Sequence, residues 1–147
     1  MLHFEGARDL PQPAPHVWGK LRDARFLVGC IPVVESVAES GPDRAVCTLR
    51  PGFSFVRGTL ELTLQVVDVE PGKTARLLLK SKGIGTTSDV EATYTVEPRE
   101  AGSHLAWSID IKELGGLLKA VPQGLIKAAA QKVIADAWAA VDAKLAG

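Results

Sequence analysis

Leu114-Gly115-Gly116-Leu117-Leu118-Lys119-Ala120-Val121-Pro122-Gln123-Gly124-Leu125-Ile126 opens the last stretch of the chain, which then runs Ala-rich through Trp138 to Leu145. Beyond Gly124 neither Pro nor Gly occurs before Gly147, and the recurrence of Ala, the best helix former, favours a helix. At 100° per residue, Ile126, Ala129, Ala130, Val133, Ile134, Ala137 and Val141 fall on one arc, with Lys127, Gln131, Lys132, Asp136 and Asp142 on the other. A long amphipathic helix of this kind needs an apolar surface about as long as itself. Pro122 interrupts the pattern, and Gly115, Gly116 and Gly124 weaken helicity around it. It either kinks the first turns into a lid or begins a second helix after a separate short one over 114–121. The second reading is preferred, because proline suits a first turn.

The stretch upstream supplies the surface. From Val33 to Lys112 the period is two. Val33 to Glu39 and Arg44 to Arg50 flank the turn Ser40-Gly41-Pro42-Asp43. Thr59 to Val69 puts Leu60, Leu62, Leu64 and Val66 on one face, with Glu61, Thr63 and Gln65 on the other. Pro71-Gly72 turns into Thr74 to Lys82, and Gly83-Ile84-Gly85 turns again into Ser88 to Val96, where Val90, Ala92, Tyr94 and Val96 align. His104 to Lys112 aligns Leu105, Trp107, Ile109 and Ile111. At the N-terminus, residues 2–9 suit a strand with Leu2, Phe4 and Gly6 on one face. Pro11, Pro13 and Pro15 end it. Two short helices follow, one carrying Val17, Trp18 and Leu21, the other from Ala24 to about Gly29, before Pro32 imposes an extended exit. The alternation predicts seven antiparallel strands with one covered and one wet face, and the terminal helix as the cover.

Composition narrows the function. The 147 residues suit one domain over 1–147, and 17 basic against 17 acidic residues with no basic run argue against a nucleic-acid footprint. The longest nearly apolar stretch, Phe26 to Val34, is far short of the ~18 residues a membrane-spanning helix needs. No secretion signal is visible at the N-terminus. Cys30 and Cys47 have no metal spacing and read as reduced thiols, so the expected location is the cytoplasm. There is no Walker loop, dinucleotide fingerprint or zinc motif, and no metal or cofactor is expected. Gly83-Ile84-Gly85-Thr86-Thr87 is a turn and not a phosphate cradle. His3, His16 and His104 show no ligand or triad spacing.

Strand, two short helices, six strands and a long helix is the order of the helix-grip fold, an α+β architecture in which a curved sheet wraps the last helix. Phe4-Glu5-Gly6, Pro13-Ala14-Pro15-His16-Val17-Trp18-Gly19-Lys20-Leu21-Arg22-Asp23, Leu27-Val28-Gly29-Cys30-Ile31-Pro32 and Glu35-Ser36-Val37 resemble the family named for the G subunit of carbon monoxide dehydrogenase. That family belongs to the START/polyketide-cyclase-like (SRPBCC) superfamily. The similarity continues through Gly115-Gly116 into the last helix. Val33-Val34 departs from it, since the family commonly has Gly followed by a small residue or Cys. Some relatives continue into a linker and membrane tail; with the sequence ending at Gly147, a membrane-anchoring role is not expected.

The resemblance implies a cavity between sheet and helix for an apolar ligand such as a lipid, isoprenoid or quinone-like compound. It also implies an accessory role beside a molybdenum-containing carbon monoxide dehydrogenase or related hydroxylase. From the residues alone two readings of Ala129, Ala130 and Ala137 stay open: they leave space, or they bring helix and sheet close. The candidate ligand-binding residues are Phe26, Cys30 and Ile31 at the closure and Phe53 and Phe55 at an entrance. On the sheet they are Leu62, Leu64, Leu79, Tyr94, Trp107 and Ile109, and on the last segment Leu118, Val121, Leu125 and Ala129. Trp18 and Trp138 are expected in the core. No catalytic residue is expected. A cyclase-type enzyme would need polar groups inside the cavity, for which only Tyr94, Ser81 and Arg50 or Arg57 offer themselves. A protein-interaction module docking through the two short helices is the third alternative.

Overall fold

A computed structural model describes residues 2–31, 33–51 and 58–146. In chain order its elements are β1 (Leu2–Leu10), α1 (Ala14–Leu21), α2 (Ala24–Val28), β2 (Val34–Ser40), β3 (Arg44–Leu49), β4 (Leu60–Glu70), β5 (Thr74–Gly83), β6 (Thr86–Arg99), β7 (Gly102–Gly116), a 3-10 turn (Leu117–Ala120) and α3 (Gln123–Ala146). The strands form one antiparallel sheet in the order β1-β7-β6-β5-β4-β3-β2. The β5–β6 hairpin turns on two residues, Ile84 and Gly85, both at positive φ, which matches the right-handed twist of the flanking strands.

Alternation fixes which side chains share the concave face, and register lines them up in rungs. Val66, Leu77, Ala92, Ile109 and Phe4 form one rung, and Leu64, Leu79, Val90, Ile111 and Leu2 the next. Leu62, Ser81, Ser88 and Leu114 lie beyond on one side; Ala75, Tyr94, Trp107 and Gly6 lie on the other. The short helices close that second end. Pro13 starts α1, its carbonyl accepting from His16 and Val17 N–H at 3.0 and 3.1 Å. The Asp23 carboxylate caps α2 by accepting from Arg25 N–H at 2.9 Å, and the Arg25 side chain beside it holds that carboxyl below its ordinary value.

The last segment differs from what its sequence predicts. Leu114 to Gly116 are strand, because the β6–β7 hairpin keeps pairing as far as Thr86 opposite Gly116. Gly115 and Gly116 serve that pairing. A Cβ at Gly115 would collide with Thr87 Oγ1 and one at Gly116 with the Gly85 carbonyl, and Gly116 has φ 63°. The expected short helix over 114–121 shrinks to the 3-10 turn. Pro122 stands at the head of α3, its carbonyl accepting from Leu125 and Ile126 N–H at 3.0 and 3.3 Å.

Two buried clusters hold α3 at its ends. Val141 and Leu145 join the larger core with Val17, Leu21, Ala24, Cys47, Tyr94 and Leu105, while Ile126 joins Leu60, Ile111 and Leu118. Between them the helix backbone makes few close approaches to the described strands.

A candidate apolar ligand cavity

The gap between those clusters is a cavity of about 400 Å³. Ile126, Ala129, Ala130, Val133, Ile134, Ala137, Trp138 and Val141 wall it on the helix side. The apolar arc of the sequence is therefore the cavity face. Most of these side chains are only half-buried because they look into a void. The small residues leave space and do not draw helix and sheet together.

The sheet side is built from the concave rungs: Leu62, Leu64, Leu77, Leu79, Val90, Ala92, Tyr94, Trp107, Ile109 and Ile111, with Phe4 from β1. Leu21, Leu27, Cys30 and Ile31 line the cavity from the short helices and the turn after them, and Val33, Leu49 and Pro51 from the β2–β3 edge. Leu60, the partner of Leu49, lines it with Leu114 and Leu118 beside Ile126. Aromatic groups cluster toward the short-helix end. Trp107 and Trp138 face each other with ring centroids 5.8 Å apart. The Trp107 indole lies over Gly6, its partner on β1, where a Cβ would come within 2.8 Å of the ring. Arg8, one step along the same face of β1, stacks its guanidinium 5.2 Å from the Trp138 ring centroid and donates to Asp142 at 2.5 Å. This cation–π contact and ion pair tie the edge strand to the C-terminal half of α3.

Polar groups in the lining are few, and most are already engaged. Tyr94, packed against Trp18 at 6.2 Å, donates its hydroxyl to the Leu21 carbonyl at 2.5 Å, and burial pushes its ionisation far up. Thr93 and Ser108 alternate with Ala92, Tyr94, Trp107 and Ile109, and so point to the convex face. Burial raises the Cys30 thiol to about 11 even though Lys144 lies nearby, so it stays protonated and unreactive at neutral pH. Ser81 and Ser88, directly opposite on β5 and β6, share a hydrogen bond at 2.5 Å.

Of the expected binding residues, Cys30, Ile31, Leu62, Leu64, Leu79, Tyr94, Trp107, Ile109, Leu118 and Ala129 stand at the cavity wall. Phe26, Val121 and Leu125 do not. Phe26 borders an outer hollow between the short helices, with Pro15, His16 and Gly19. Val121 follows the 3-10 turn and packs behind Leu118 and Ile126. Leu125 precedes the inward Ile126 by one residue, which rotates it about 100° toward solvent, and it is 50% exposed. Phe53, Phe55 and Arg57 lie outside the described residues. Arg50 is exposed and pairs with Glu35 at 2.5 Å, away from the cavity. Phe4, Val90, Ala92 and Trp138 also line the cavity and are absent from the residues expected there. Period-two alternation marks the first three as facing inward, whereas Trp138 is expected in filled core and forms a cavity wall instead.

A curved antiparallel sheet gripping a long terminal helix, with an apolar cavity between them, makes this a helix-grip protein of the START-like, SRPBCC kind. The chain belongs to the CoxG family, named for the G subunit of carbon monoxide dehydrogenase, which matches residues 6–146. No curated protein matches it significantly. Among solved structures it is similar to a conserved protein from Geobacillus kaustophilus, with 25% identity, 99% of this chain and 95% of that one covered, and a TM-score of 0.86. A START superfamily protein from Mycobacterium smegmatis shares 10% identity over 97% of this chain and 96% of its own, with a TM-score of 0.68. An AHSA1 protein from Silicibacter pomeroyi shares 12% over 99% and 98%, with a TM-score of 0.66. These two show the fold alone. Among the described residues no helix is long and apolar enough to cross a membrane.

Proposed function

We propose that this protein binds an apolar small molecule, lipid-, isoprenoid- or quinone-like, in the cavity between sheet and α3. In this reading it acts as an accessory to a molybdenum-containing carbon monoxide dehydrogenase or related hydroxylase. One observation carries the binding: a cavity of about 400 Å³ between sheet and α3, walled mostly by aliphatic and aromatic side chains. Native cores normally close to crystal-like density. Largely apolar voids accept apolar guests, and this volume lies in the range of small-molecule sites. Transfer of apolar ligand surface at ~25 cal/mol per Å² supplies the driving force. The accessory role rests on family membership.

The cyclase reading requires Tyr94 or an arginine to point inward beside a titratable partner; Arg50 is exposed and pairs with Glu35. The Tyr94 hydroxyl is committed to the Leu21 carbonyl, where it serves structure. Native mass spectrometry of protein purified without detergent, followed by lipid extraction, tests the binding. A bound mass of several hundred daltons, released into organic solvent, is expected. Protein that arrives empty and takes up no added fatty or isoprenoid compound would overturn the proposal.

A further inference from the structure

Among the described residues that line the cavity, Ser81 and Ser88 are the one place where inward hydroxyls are not used up by the fold; the unpartnered Ser103 hydroxyl is buried in packed core outside the cavity. Both lie on inward positions, in the rung with Leu62 and Leu114, and both border the cavity. Two hydroxyls carry two donor protons, and one hydrogen bond between them consumes one. Among the described residues neither has another partner, so one O–H and several lone pairs remain. An unspent donor on a largely apolar wall is costly, and an oxygen brought to it by a guest recovers that cost.

The pair also has a fixed place along the cavity. From the Ser88 rung to the Tyr94 rung, β6 advances six residues, about 20 Å at strand rise. The far end is aromatic, with Trp107 against Trp138, the Tyr94 hydroxyl already engaged, and the unpartnered Trp107 Nε1 packed 3.2 Å from the Cβ position of Gly6 on β1. The cavity thus has a polar end and a hydrocarbon end.

We propose that the Ser81–Ser88 pair is the polar handle of the cavity and selects long apolar molecules that carry an accepting oxygen, such as a carbonyl, at one end. The oxygen takes the free O–H of the pair, and the hydrocarbon body lies along Val90, Ile109 and the Ala face of α3 toward the two tryptophans. This rests on the reading of the cavity as a binding site, and adds which chemistry it selects and in which direction the guest lies.

Binding of 2-decanone and of decane, followed through Trp107 and Trp138 fluorescence, separates the two claims. The wild type and Ser81→Ala/Ser88→Ala are compared, with circular dichroism checking that both fold. Ser88→Ala alone serves if the double variant does not fold. In wild type both probes bind. In the variant the ketone-to-alkane affinity ratio falls about three- to tenfold, the worth of one neutral hydrogen bond, while decane binds as well as before or better. An unchanged ratio overturns the polar handle and leaves the cavity as a binding site. Wild-type protein that binds neither probe overturns both.

Discussion

Cys30 sits 3% exposed under the short helices at the edge of the cavity, and burial lifts its thiol from 9.0 to about 11. An acid whose folded value lies above its unfolded one gives its full stabilisation below the unfolded value. That contribution is lost as pH rises through the folded value, here between about 9 and 11. The span is worth roughly 2–3 kcal/mol at most. Urea midpoints measured from pH 7 to pH 10.5 should therefore fall more steeply above pH 9 in wild type than in Cys30→Ala. Parallel profiles would show that the thiol is not held in an apolar site. Gly6 makes a related point about single residues. Its face is legible in the sequence but its purpose is not, since only the register reveals that an indole from β7 occupies the space a side chain would take.

Elements are joined to the sheet by a small number of specific contacts. α1 is tethered to β6 by the Tyr94 hydroxyl on the Leu21 carbonyl, in the last turn of the helix. Tyr94→Phe should cost about 1–3 kcal/mol, because a buried carbonyl loses its partner. Hydrogen exchange in α1 should rise more than exchange in β5. Protection of α1 equal to wild type would mean that apolar packing alone holds it. α3 is attached differently, by an apolar cluster at each end and the Arg8–Asp142 pair near its C-terminus. Its Ala-rich composition makes the helix legible. Its start is not, because whether Leu114-Gly115-Gly116 is helix or strand depends on how far β6 continues opposite it. Local propensity carries no information about that partner.

At the scale of the molecule, the separation of helix and sheet is set by the two end clusters, and the middle is left open. A larger side chain there has room that a packed core would deny it. Ala137→Phe places a ring in the cavity, so stability should stay within about 1 kcal/mol of wild type, where overpacking an ordinary core costs about 1–3 kcal/mol. The same variant should lose the extractable guest. Thermal melting together with lipid extraction checks this. A large fall in melting temperature would mean that the wall cannot accommodate the ring and that the space is smaller than the geometry indicates.

Alternation and helix periodicity, local properties of the chain, determined seven strands, two short helices and a terminal helix with an apolar arc. The stretches around Val17-Trp18 and Cys30-Ile31-Pro32 carried the family. Much of the cavity wall followed, since inward strand positions repeat every second residue. Tertiary structure alone decided that Ala129, Ala130 and Ala137 border space. It also turned Phe26 and Leu125 away from that space and set Ser88 beside Ser81 inside it. A void is a distance between elements, fixed by what packs at their ends. The pattern within any one element has no term for it.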